Sequence, residues 1–133
     1  MYLPDTNACI KFINGSSIQL IDTWRQHAAS TLFISTIVTA ELRFGVANSD
    51  KVNAEENGAL LDLFLVPYTE ARFDSLCAMK YGYLRAELKR KGKPIGAMDM
   101  LIAATALAYD FTIITHNTRE FSQVEGLKLE DWE

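Results

Sequence analysis

Short apolar runs alternate with longer stretches of helical periodicity from one end of this chain to the other. The first five residues read as a strand stopping at Asp5-Thr6-Asn7, a trio that favours turns and helix caps. Ala8–Phe12 is predicted as a short helix closed by Asn14-Gly15-Ser16-Ser17, and Ile18, Ile21, Trp24 and Arg25 carry a second amphipathic helix over Ser17–Ala28. Leu32-Phe33-Ile34 suits a buried parallel strand. Ser35 or Thr36 can cap a helix over Val38–Ala47 that breaks at Asn48-Ser49.

Helical spacing resumes over Val52–Leu61, and Phe64-Leu65-Val66 reads as a strand ended by Pro67. Thr69 is the expected cap of a long helix with Phe73, Leu76, Cys77, Tyr81 and Leu84 on one side, closing at Arg90-Lys91-Gly92. After the Pro94-Ile95-Gly96 loop, Asp99–Tyr109 is almost wholly apolar and reads as a helix buried against a sheet. Phe111–Thr115 and Leu127-Lys128-Leu129 are the last two expected strands. Strands alternating with helices predict an α/β fold, a central parallel sheet flanked by helices on both faces.

The 133 residues fit one domain, residues 1–133, with no linker or repeat, and 49% hydrophobic with 23% charged residues is ordinary for a globular protein. Cys9 and Cys77 lie too far apart for a zinc pattern, and two cysteines make no disulfide framework; buried free thiols are expected. No signal peptide is readable, and the apolar run at Met100–Tyr109 is too short for a membrane span, so the expected location is cytoplasmic.

Four acids fall where strands end or helices begin: Asp5, Glu41, Asp99 and Glu120. Ligands of open parallel sheets bind beyond the carboxyl ends of the strands, and each of the four can face that edge. Carboxylates gathered without a neighbouring base suit a hard divalent cation such as Mg²⁺ or Mn²⁺. Held there, such an ion promotes hydrolysis of a phosphodiester, with products expected to carry a 3′-hydroxyl and a 5′-phosphate. Each acid alone has a plain explanation as a turn, a cap or a solvated charge; the combination carries the inference. The net charge of −4 by itself argues against nucleic-acid binding by bulk attraction. Arg85, Lys89, Arg90, Lys91 and Lys93 nevertheless form a basic run ahead of Asp99, suited to phosphate contact or to the end of a helix dipole. Tyr68, Tyr81 and Tyr83 are read as packing rather than base-stacking residues, and His116 as a surface histidine rather than a general base.

Asp5-Thr6-Asn7, Glu41 within Ser35–Leu42, the segment Pro94–Ala104 around Asp99, and Thr115–Phe121 with the closing Asp131-Trp132 together resemble the PIN-domain ribonucleases. The whole chain is similar to the VapC toxins of VapBC toxin–antitoxin pairs. The resemblance implies a PIN fold and an Mg²⁺- or Mn²⁺-dependent endoribonuclease. It makes Asp5, Glu41, Asp99 and, at a less uniform position, Glu120 the catalytic metal-binding acids. Thr6, Asn7, Ser35, Thr115 and Asn117 become supporting polar groups. It also implies an RNA substrate, a homodimer and a VapB-type antitoxin that occludes the acidic pocket.

One residue departs from the pattern. Pro4 stands where an aliphatic residue is usual, and proline lacks the N–H of a ladder hydrogen bond. The fold is expected to survive this. Because Pro4 adjoins Asp5, a PIN-like module that binds RNA or antitoxin without turnover is the alternative reading. Phosphatase or phosphotransfer chemistry has less support, since Asp5 is followed by Thr6-Asn7 rather than by an Asp-x-Asp pair.

Overall fold

The computed structural model describes residues 1–133. The chain opens with β1 (Tyr2–Pro4) and α1 (Thr6–Asn14), which Asp5 caps and Gly15 ends in a left-handed conformation at φ 69°. Ser17 caps α2 (Ile18–Arg25), and a single 3-10 turn leads into β2 (Phe33–Ser35). Ser35 caps α3 (Thr36–Ala47), and Asp50 caps α4 (Lys51–Leu65). Then come β3 (Thr69–Ala71), α5 (Ser75–Lys91), α6 (Ala97–Tyr109), β4 (Thr112–Ile114), the short α7 (Thr118–Phe121) and β5 (Lys128–Glu130).

All strand pairs are parallel: β1 with β4, β4 with β5, and β2 with β3. A single parallel bridge between Tyr2 and Leu32 joins the two groups, giving the order β3-β2-β1-β4-β5. From β1 the chain steps outward to β2 and β3, then jumps back across β1 to β4 and β5. Right-handed crossovers therefore put α1–α4 on one face and α5–α7 on the other. Packing agrees, with α1, α2, α3 and α4 touching one another and α5 lying along α6. The reversal of direction makes the carboxyl ends of β1 and β4 the crevice of the sheet.

The weak seam between β1 and β2 has a cause in the sequence. The Asp5 N–H donates to the Ile114 carbonyl at 2.9 Å, so odd-numbered residues of β1 aim their polar backbone groups at β4. Tyr2 and Pro4 therefore face β2, and Pro4 has no N–H to offer there. The central strand keeps its full ladder with β4, in which Pro4 pairs with Ile114, and the missing donor falls where the pairing with β2 has shrunk to one bridge.

Three expectations are corrected. Phe64-Leu65-Val66 is not a strand: Phe64 and Leu65 are the last residues of α4 and Val66 is its cap. A three-residue apolar run is compatible with either state. Here the Phe64 ring packs against Phe12, Trp24 and Tyr68, which a helical approach to the core supplies. The strand comes after Pro67, where Thr69 and Glu70 are exposed and only Ala71 is buried. Thr69 is thus a strand residue, and the cap of α5 is Asp74, whose carboxylate accepts the Cys77 N–H at 3.1 Å. The segment holding Glu120, expected as a loop, contains α7. The core is one cluster that includes Leu3, Trp24, Ile102, Ile113, Phe121 and Trp132. Both cysteines are free and buried, and no helix is long and apolar enough to cross a membrane.

Candidate active site

Asp5 sits directly beyond β1 and is only 5% exposed. One carboxylate oxygen accepts the Ala8 N–H at 2.8 Å, which caps α1, and the other accepts the Thr115 hydroxyl at 2.6 Å. Thr115 lies beyond the neighbouring β4 and is itself buried; its oxygen also accepts the Asn117 N–H at 2.9 Å. A buried carboxylate is thus held at two points by its neighbours on the sheet edge. Burial still pushes its pKa up, against the lowering effect of those two bonds.

Glu41 arrives from α3, which packs on α1, and accepts the Thr6 hydroxyl at 2.5 Å. Glu120, in the first turn of α7, uses both oxygens: one accepts the Gly96 N–H at 2.8 Å and the other the Asn117 side-chain amide at 2.6 Å. Those bonds tie α7 to the residue that begins α6. Asp99 stands in the first turn of α6, and its pKa is raised to about 6, first by burial and then by the charges of Glu120, Asp5 and Glu41. Four acids from four separate segments therefore feel one another, and no cation offsets the rise at Asp99. Gly96 borders two of these acids at ordinary van der Waals distance. The point where its side chain would begin is 3.6 Å from an Asp99 oxygen and 3.9 Å from a Glu120 oxygen.

The polar neighbours differ in what they touch. Thr6, Thr115 and Asn117 bond Glu41, Asp5 and Glu120 respectively. Ser35 is buried but spends its hydroxyl on the Ile37 N–H at 3.0 Å, so it orients α3 and touches no carboxylate of the cluster. Asn7 is exposed and borders a small pocket shared with Asp5, Lys11, Asn117 and Glu133. Lys11 and Glu133 had no sequence signal as neighbours of Asp5. Buried Trp132 anchors the chain end, and the Lys11 ammonium reaches both Glu133 oxygens at 2.7 and 2.8 Å.

His116 is exposed, with its Nδ1 2.9 Å from Asp131. The ligand atoms of His116, Asp131 and Glu133 lie within 4.8 Å of one another, a spacing the four acids above do not reach. That trio is already satisfied by Lys11 and by its own histidine–carboxylate contact. The all-oxygen set of Asp5, Glu41, Asp99 and Glu120, with Asp99 driven toward its neutral form, has the chemistry of a hard-cation site instead.

Beside Glu41 an apolar groove of about 300 Å³ runs between α1, α3 and α4, lined by Ile10, Ile13, Leu42, Val46 and Leu60. Of the aromatics, Tyr68 is a core partner, its hydroxyl accepting the Trp24 indole N–H at 3.0 Å. Tyr81 bonds Arg85 and Tyr83 is exposed. In the basic run, Lys91 is paired with Glu87 at 2.9 Å and lies 3.8 Å from Glu125, whereas Arg85, Lys89, Arg90 and Lys93 have no acidic partner.

A family model described as PIN domain matches residues 2–127. The chain is 40% identical to Ribonuclease VapC2 of Rickettsia felis, across 100% of this chain and 98% of that protein. It is 34% identical to the tRNA(fMet)-specific endonuclease VapC of Shigella flexneri, across 98% and 97%. Among solved structures, VapBC2 from Rickettsia felis bound to a DNA fragment from their promoter superposes with a TM-score of 0.91 at 39% identity, across 99% of this chain and 98% of that one.

Proposed function

The chain belongs to the PIN-domain family, and on that premise we propose that it is a metal-dependent endoribonuclease, the toxin of a toxin–antitoxin pair. All 133 residues form a single such domain, acting in the cytoplasm on RNA. The observation that carries the reading is Asp99, whose carboxyl is lifted to about 6 by burial and by three acids remote from it in sequence. A site that costs this much to ionise gains most from a divalent cation.

Asp5, Glu41 and Asp99 would hold the ion, Mg²⁺ or Mn²⁺, with Glu120 completing the acidic ring. When bound, the ion supplies charge that offsets the scissile phosphate and lowers the pKa of water. The chain's own residues do the positioning. Thr115 fixes Asp5 against rotation, Thr6 draws Glu41 toward α1, and Glu120 pins the start of α6 and with it Asp99. Pro4 leaves Asp5 with every one of these bonds, so the turnover-deficient alternative gains no support.

The VapBC complex among the similar structures makes a VapB-type antitoxin the expected partner, and the family resemblance adds a second copy of this chain. The apolar groove ending at Glu41 suits an antitoxin segment that packs on Leu42 and Leu60 and covers the acids. The relative from Shigella flexneri makes tRNA(fMet) the first RNA to try. The test is cleavage of RNA by purified protein with and without EDTA, and with Asp5→Asn. Cleavage that stops with EDTA and in the folded variant supports the reading; cleavage indifferent to both overturns it.

A further inference from the structure

The basic run at the end of α5 divides between two surroundings, one of them walled by the segment that leads into α6. Arg85 and Lys89 stand one turn apart on α5, and with Lys93, which lies past the Gly92 cap, they line an open cleft of about 450 Å³. Its other wall is Pro94, Ile95 and Met100, the segment that contains Gly96 and Asp99. Lys91 turns the other way, toward Glu87 and Glu125 beside Gln123 and Val124. The charges of the three cleft cations are uncancelled. Lys89 and Lys93 form no ion pair, and Arg85 has only the neutral Tyr81 hydroxyl at 2.7 Å. A chain of net charge −4 with four carboxylates at its site repels a polyanion, so a strand entering that site needs a nearby run of unpaired cations to hold its flanking phosphates.

We propose that the cleft lined by Arg85, Lys89 and Lys93 is the track for the phosphate backbone of single-stranded RNA leading to the carboxylate cluster, and that Lys91 is outside it. This rests on the nuclease reading and adds the path by which the substrate reaches the acids. The cleft walls are aliphatic and basic, with no base-specific donor–acceptor set, so the track binds the backbone whatever the sequence.

The experiment measures binding of a fluorescein-labelled single-stranded RNA oligonucleotide by anisotropy across a salt series, in an Asp99→Asn background with magnesium. The same mixtures are run on denaturing gels, and the unsubstituted protein is assayed for cleavage in parallel. Each lost phosphate contact lowers the slope of log K against log salt by about 0.7. Arg85→Ala/Lys89→Ala/Lys93→Ala therefore flattens the slope by about 2, Lys89→Arg restores its share, and Lys91→Ala leaves the slope alone. A triple variant with an unchanged slope, a Lys91→Ala loss equal to that of Lys89→Ala, or no RNA binding at all overturns the track. Binding that follows the predicted pattern in a protein that never cleaves sinks the nuclease reading and leaves the track standing.

Discussion

Replacing Asp99 with asparagine should make the ion-free protein more stable, which is the opposite of what most substitutions at a half-buried polar position do. The rise of its pKa from 3.8 to about 6 corresponds to about 3 kcal/mol against the ionised form. Asp99 is only half-buried, so solvent screening reduces this to about 1.5 kcal/mol. Removing a negative charge from the first turn of α6 gives back about 0.5 kcal/mol of favourable helix-dipole interaction. The expected net gain is about 1 kcal/mol, or about 3–5 °C in Tm for a chain of this length. The pH dependence follows from the direction of the shift. Between about pH 4 and pH 6 the folded chain holds a proton on Asp99 that the unfolded chain releases, so this group's contribution to stability falls as pH rises through that window. Asparagine mimics the neutral acid, so the advantage of Asp99→Asn is complete above about pH 7 and shrinks toward zero near pH 4. Urea unfolding of both proteins in EDTA at the two pH values reads this directly. A variant less stable than its parent at the higher pH, or a gain equal at both, refutes the electrostatic picture of the site.

Three further outcomes follow from the same contacts. Thr115→Val leaves a buried Asp5 oxygen and the Asn117 N–H without their partner, at a cost of about 1–3 kcal/mol in urea unfolding that Thr115→Ser largely recovers; a valine variant as stable as the parent contradicts the two-point hold on Asp5. Pro4→Val returns a backbone donor facing β2 and should stabilise the fold by about 1 kcal/mol without altering cleavage; a lower Tm shows that the seam is open for another reason. Adding Mg²⁺ or Mn²⁺ at about 100 times its dissociation constant should stabilise the protein by about 2.7 kcal/mol, and Asp5→Asn should abolish that response in thermal melts.

Much of this architecture is legible in the residues because local signals and tertiary packing agree. Gly15 and Gly92 close α1 and α5 in left-handed conformations, and Ser17 and Ser35 cap the helices they precede. The sequence misleads where a short apolar run carries no period. Phe64-Leu65-Val66 looks like a strand until the aromatic cluster of Phe12, Trp24 and Tyr68 is in place to receive a helix. The true strand, Thr69–Ala71, is polar on its exposed side and has no hydrophobic signature of its own.

The four acids were visible through their positions at element ends, but the contacts that fix them were not. The Gly96 N–H on Glu120 spans 24 residues, and the Thr115 hydroxyl on Asp5 spans 110. The first exists only once α7 folds back on the start of α6, and the second only once β1 and β4 are neighbours. The basic run shows the same limit in another form. Five cations adjacent in sequence look equivalent, yet helical rotation sends Lys91 to an acidic pair and Lys89 to an open cleft.

Asp5, Glu41 and Asp99 are proposed to share one divalent ion. Anomalous scattering from crystals of the full chain grown with Mn²⁺ tests it most directly, because the competing cluster of His116, Asp131 and Glu133 lies on the same molecule. A manganese peak in contact with the Asp5 and Asp99 carboxylates is the predicted result. A peak confined to His116, Asp131 and Glu133, or none at saturating manganese, contradicts the claim.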